Sequence, residues 1–289
     1  MNITPHHKIV QAALTVRMIG TSVTDESMTQ ELEVNHNIEK NNVRAVKSLF
    51  PGKTGPLAPL RKLVGQARKR HLSLTFEGFG DSRLLVVSEH QRYLDAMENF
   101  QRDFNRVAAE FISSYDYHLA TERMAKNGSF REDDYPMREK LPEMFAFDAT
   151  ILPLPEPNQF LRLALGEELQ QKYANQANSA IERIRRETYR NMMDLISQTA
   201  ESLAGDGPIV DSENKKGPLA KLREYLERVP SLNITDDLEI TRLYQAAKAQ
   251  LDVSTEALRL SETVRHLTAS KAANLVRQFG AVGARKIAV

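Results

Sequence analysis

The chain has 289 residues, 39 of them basic against 38 acidic, with no cysteine, 41% apolar and 27% charged. A folded chain of this length buries roughly three quarters of its extended surface, enough for one large domain or two modest ones. The balanced charge excludes a global field toward DNA or membranes, and the missing cysteines exclude disulfides, thiolate zinc sites, iron–sulfur clusters and cysteine nucleophiles; a reducing cytoplasm is the expected home.

The start, MNITPHHKIVQAALTV, has no cationic leader, and no later stretch approaches the ~20 apolar residues of a membrane helix, so a soluble, unexported protein is expected. Val10, Ala12, Leu14, Val16 and Met18 alternate with Gln11, Thr15 and Arg17, which predicts a half-buried strand. One short helix is expected within the polar stretch that follows, then a helix over 57–70. LSLTF (72–76) and RLLVV (83–87), either side of the turn EGFGDS, read as a small hairpin. Ser88 and Gln91 form a capping box for a long helix over 89–126, ended by Gly128. Its seam is Tyr93, Met97, Phe100, Phe104, Val107 and Phe111 at spacings of three and four.

Prolines 136, 142, 153, 155 and 157 forbid a long helix next, and 145–152 reads as a strand. A second long helix is expected over 166–204, with Leu169, Tyr173, Ala177, Ile181, Ile184, Met192, Leu195, Ile196 and Leu203 on one side. At 1.5 Å per residue the two helices are ~57 and ~58 Å long. Two matched seams are best buried against each other, so the expected architecture is mainly α with a small β element: a long antiparallel helical hairpin, a small sheet at one end and a C-terminal helical bundle. The regions expected are 1–88 (α+β), 89–205 (hairpin with a proline-rich, strand-containing connection) and 206–289. The last holds short helices near 218–229, 236–250 and 254–279, the second capped by Thr235 or Asp236.

The segment SLFPGKTGP raises the question of a nucleotide loop. Such a loop needs a glycine five positions before Gly52, and Lys47 stands there. Pro51 and Pro56 bracket Gly-Lys-Thr where free N–H groups are needed. The glycines are better explained by a second copy: GPLAPLR (55–61) recurs as GPLAKLR (217–223), and both read as helix starts, with convergence on the same chemistry favoured over duplication.

Arg61, Lys62, Arg68, Lys69 and Arg70, with His71, make the most basic helix in the chain, suited to nucleic-acid phosphates or, more plainly, to a solvated face. Arg183, Arg186 and Arg190 share one face of the second long helix, beside Glu182 and Glu187. Glu132, Asp133 and Asp134 read as local chemistry before Pro136 rather than a metal site, and none of the seven histidines falls in a zinc-protease or hydrolase pattern. No catalytic, cofactor or metal residues are assigned, and a non-enzymatic protein is expected.

GSFREDDYP, MFAFDATILPLP, LISQTAESLAG and VPSLNITDD, in this order, resemble a family of tailed-phage and prophage proteins without an established activity, over about 43–279. The resemblance implies an α-rich cytoplasmic protein, sometimes encoded near a MoxR-like or cobalt-chelatase-like AAA+ ATPase and a von Willebrand A-type protein. It departs from the family at DSENKKGPLAKLREYL, where an aromatic and arginine-bearing helix start is expected. The leading expectation is an accessory or adaptor protein presenting a helical surface to a protein partner, such as that ATPase module, with self-association a further expectation. The alternative is a nucleic-acid-binding protein, for single-strand binding or annealing, using the basic helix faces.

Overall fold

A computed structural model describes residues 8–51, 54–78, 82–154, 167–205, 207–209, 211–212 and 215–287, the backbone alone for 167–170, 173, 211–212, 215–216 and 281–287. Gly52-Lys53, His6-His7, Pro155, Pro157, the turn tip at 79–81 and the side chains of Leu169 and Tyr173 lie outside what is described.

In chain order the elements are β1 (Ile9–Arg17), β2 (Ser22–Thr24), α1 (Glu26–Asn35), β3 (Val46–Ser48), α2 (Ala58–Leu74), β4 (Phe76–Glu77), β5 (Arg83–Val86), α3 (His90–Ser113), α4 (Tyr115–Lys126), α5 (Leu141–Met144) and β6 (Ala146–Pro153). They continue with α6 (Glu167–Ala204), β7 (Asp211–Ser212), β8 (Lys215–Lys216), α7 (Pro218–Leu232), α8 (Leu238–Leu251), α9 (Thr255–Leu260) and α10 (Glu262–Ile287). The protein is mainly α with a small four-stranded antiparallel sheet in the order β4-β5-β1-β6; β2-β3 and β7-β8 form separate two-stranded ribbons. The chain forms two compact units, residues 1–12, 74–91 and 151–289 in the first, and 13–73 with 92–150 in the second.

In the first unit, β1 pairs antiparallel with β5 in the register Ile9↔Val86 to Ala12↔Arg83. The 38 residues of α6 serve two cores. Ala180, Ile181 and Ile184 close over Ile9, Phe76, Leu84 and Val86 of the sheet. Further along, Met192, Ile196 and Leu203 pack with Leu222 and Val229 of α7, Leu243 and Ala247 of α8, and Ala272 and Leu275 of α10. The apolar stripe of α6 is therefore covered by the C-terminal helices.

The second unit covers its own long seam. Tyr93, Met97, Phe104 and Phe111 of α3 are buried. Phe104 meets Phe147 at 5.7 Å, and Phe111 meets Phe50 at 5.5 Å and Phe145 at 5.8 Å, mostly edge to face, as ring quadrupoles favour. The hairpin predicted from two matched seams is thus corrected: each seam is filled from within its own unit. A stripe reports that one side of a helix is buried and says nothing of what buries it.

Smaller differences have local causes. The helix expected over 89–126 is broken at Ser114, whose hydroxyl turns back onto the Glu110 carbonyl at 2.7 Å, a local bond that competes with helix continuation. Ser88 caps nothing; its hydroxyl donates to the Ser231 carbonyl at 3.2 Å, and α3 begins at His90. LSL at 72–74 continues α2 as helix instead of opening a strand, since Ala67, His71 and Leu74 are buried at helical spacing. Pro230 lies inside the last turn of α7, which runs on to the buried Leu232. In β1 the buried residues are Ile9 and Ala12, three apart, so strict alternation fails at the start of the strand.

Candidate nucleic-acid interface

Within the second unit, α2 has two opposed sides. Leu60, Val64, Ala67 and His71 recur at spacings of three and four and are buried. His71 Nδ1 lies 2.9 Å from the Tyr93 hydroxyl, and burial, with the Asp148 charge behind it, pushes the Tyr93 phenol up to about 12. The outer side carries Arg61, Lys62, Arg68 and Lys69. The last three are exposed and Arg61 partly so.

At about 100° per residue these four form two rows, Arg61 with Arg68 and Lys62 with Lys69, and within each row the residues stand ~10.5 Å apart along the axis. Ala58, Gly65 and Leu72 fall between the rows at the same spacing of seven. Nothing lies within 4 Å of where a Cβ on Gly65 would stand, so the crest between the rows is open. The helix, APLRKLVGQARKRHLSL, contains no carboxylate. Among the described residues, Arg61, Lys62, Arg68 and Lys69 take part in no ion pair. Arg70 turns to the flank, half-buried and engaged with the protein itself.

The approach to α2 is fixed by a buried carboxylate. Phe50 has φ of 47°, a left-handed conformation that is uncommon for a bulky side chain, and its N–H donates to Glu122 Oε2 at 3.1 Å. The same oxygen accepts from the Tyr135 hydroxyl at 2.9 Å and pairs with Lys126 Nζ at 2.7 Å. Burial, then the bond to Glu122, raises the Tyr135 pKa. Lys47 bridges Asp134 at 2.8 Å and Asp25 at 3.4 Å, and the bond to Asp134 holds its ammonium pKa above the usual range. A Cβ on Gly55 would come within 2.5 Å of the Pro51 carbonyl oxygen, which is why glycine stands there. The first GPL copy thus closes a tight turn before α2, while in the second Gly217 is the N-cap of α7 with Pro218 at its start.

The other predicted cations are built into the first unit. Arg183 donates to the carbonyls of Glu77 at 3.0 Å and Gly78 at 3.2 Å, and Arg186 Nε lies 3.4 Å from its own helix's Glu182 carbonyl. Arg190 is exposed beside Glu187, whose carboxyl pKa is raised by burial against the opposing pull of Arg83, Arg183 and Arg190. Glu132 and Asp134 go to ion pairs with Arg123 and Lys47. The cap of α8 is Asp237, whose Oδ1 accepts from the N–H groups of Glu239 and Ile240 at 2.8 and 3.1 Å; the expected Asp236 instead takes φ of 54°.

Three features escaped the sequence reading. Tyr117 and Met124, seven apart on α4, are 73% and 82% exposed, and Met137 is 67% exposed beside the Asp116–Arg138 ion pair. A groove of about 190 Å³ between α7 and α8 is lined by Arg223, Glu227, Tyr244, Lys248 and Asp252 over an apolar floor; its charges balance. Ser114 Oγ lies 3.0 Å from His118 Nε2 and 2.7 Å from the Glu110 carbonyl oxygen, so its one hydrogen has a backbone acceptor nearer than the ring. Among the described residues no cluster of three His, Asp or Glu is placed to hold a metal ion, and no helix is long and apolar enough to cross a membrane.

No protein-family model, curated protein or solved structure matches the chain.

Proposed function

We propose that the protein binds nucleic acid through the outer side of α2, with Arg61, Lys62, Arg68 and Lys69 on backbone phosphates. One observation carries the reading: four outward cations on a helix without a carboxylate, none paired among the described residues. By contrast Lys47 and Arg228 are each paired with a carboxylate, whereas the four on α2 stand together on one side of a single helix. Such a face contacts phosphate by counterion release and needs no base-specific groups.

The test is fluorescence anisotropy with labelled oligonucleotides at roughly 50 and 200 mM salt. Changing all four residues to Glu is expected to weaken binding at low salt by about 100-fold or more. The Arg183→Glu/Arg186→Glu/Arg190→Glu protein, folded by circular dichroism, should keep an affinity close to wild type. Absence of wild-type binding at low salt, or equal binding by the α2 variant, refutes the proposal.

A second reading, the adaptor expected from the phage-family resemblance, is favoured by the exposed Tyr117, Met124 and Met137, residue types enriched at protein interfaces. Its implied partner is a AAA+ ATPase module or the von Willebrand A-type protein that accompanies it. Co-purification of this chain with those two proteins checks it: Tyr117→Glu/Met124→Glu should abolish retention, and retention of neither protein by wild type removes this reading.

A further inference from the structure

Resting on the nucleic-acid reading of α2, we infer that the ligand class is B-form duplex DNA, with α2 lying along a groove and its two cationic rows on the phosphates of opposite strands. The row of Arg61 and Arg68 and the row of Lys62 and Lys69 diverge by about 100° around the helix axis, so their long side chains reach away from each other. A single strand offers one phosphate track, whereas a groove is bordered by two. An α-helix with its side chains is ~10–12 Å across, and the B-DNA major groove, ~12 Å wide, admits one.

The crest between the rows fits the same geometry. It carries Ala58, Gly65 and the exposed Leu72, with open space over Gly65, so nothing bulky holds the cations back from the strands on either side. It also lacks any aromatic ring. Single-strand binders gain much of their affinity from bases stacked on such rings, and neither cationic row supplies one. The buried Tyr93 beneath α2 is committed to His71 and cannot serve. Duplex RNA is disfavoured by shape, because the A-form major groove is too deep and narrow for side chains to read. The crest has no hydrogen-bonding group for base edges, which makes the contact largely independent of sequence. This departs from the single-strand binding or annealing role expected from the sequence.

The full chain is titrated against a mixed-sequence DNA duplex of about 20 base pairs, its single strands, oligo(dT), and the matching RNA duplex, across salt concentrations. Duplex DNA should bind about tenfold tighter than the other three, with a log–log salt slope near −3.6 for four phosphate contacts. Neutralising either row alone, Arg61→Gln/Arg68→Gln or Lys62→Gln/Lys69→Gln, should bring the slope to about −1.8. Gly65→Leu raises the crest where there is room in the fold, so duplex affinity should fall about tenfold while the melting temperature holds or rises. Single strands or duplex RNA binding as tightly as duplex DNA, still dependent on the four cations, would overturn this inference and leave the parent reading standing. Unchanged duplex affinity in folded Gly65→Leu overturns the groove geometry as well. Failure to bind any nucleic acid overturns both.

Discussion

On α2 the cations at 61, 62, 68 and 69 face outward from a helix with no carboxylate, whereas on α6 Arg183, Arg185 and Arg186 are each held by a carboxylate or carbonyl and the exposed Arg190 stands near Glu187. Arg185 shows the contrast most fully: it reaches Glu182 at 2.9 Å on its own helix and Asp237 at 3.1 Å at the cap of α8. Arg183 holds two carbonyls at the β4–β5 turn, where a Cβ on Gly78 would meet the Ser82 carbonyl oxygen at 2.3 Å. Both helices look equally basic when their arginines and lysines are counted together, five on each. The intervening glutamates separate a helix that uses its charge to hold its own unit together from one whose charges stand outward without an ion-pair partner among the described residues.

The sharpest way to break this comparison is to ask what each cation contributes to stability. Arg228 and Glu89 meet at 2.7 Å with each side chain 5% exposed, so Arg228→Met leaves a carboxylate buried beside an apolar group. That change should cost about 3–5 kcal/mol in urea unfolding. Changing Arg61, Lys62, Arg68 and Lys69 together to Gln should move stability by only about 0.5 kcal/mol in either direction, since exposed groups without partners contribute little. A quadruple variant that loses stability comparable to Arg228→Met would assign the α2 cations to the fold and remove the ground for a ligand there.

Much of the fold was legible because periodicity marks helices well. The start of α6 fell within one residue of the Gly166 boundary, and its end at Ala204 was met. β6, α1 and the stop before Gly128 were likewise readable from prolines, polar runs and a glycine. What sequence could not supply was the partner of each stripe. The α3 seam finds Phe50, Phe145 and Phe147, and the α6 seam finds helices drawn from the last third of the chain. Nor does sequence reach the cap of α8: Thr235 or Asp236 is expected, but Asp236 takes a left-handed φ of 54° and the extended Asp237, one residue on, caps the helix. The α2 cluster was visible as composition. Its value as a site depends on facts that only coordinates supply: the burial of the opposite side, the missing ion pairs and the open crest at Gly65.

The smallest effect tests whether a neutral, partly buried base differs from these charged groups in its dependence on pH. His118 stacks on Phe111 at 5.5 Å and 13°, and burial lowers its pKa, so the folded protein prefers the uncharged ring. On acidification the unfolded chain takes up this proton first, near the ordinary value of about 6.5. The stabilisation from the neutral ring is therefore complete above that pH and is lost as pH falls from there through the lower folded-state value. His118→Gln removes the titration while leaving a side-chain N–H to donate toward Ser114. Melting temperatures of the two proteins should run parallel from pH 7 to 8 and converge or cross below about pH 6, with solvent screening at a partly exposed ring keeping the change to roughly 1 °C. Curves that stay parallel down to pH 5 would mean that the ring titrates in the folded protein as it does in the unfolded chain, and that its stacking on Phe111 carries no preference for the neutral form.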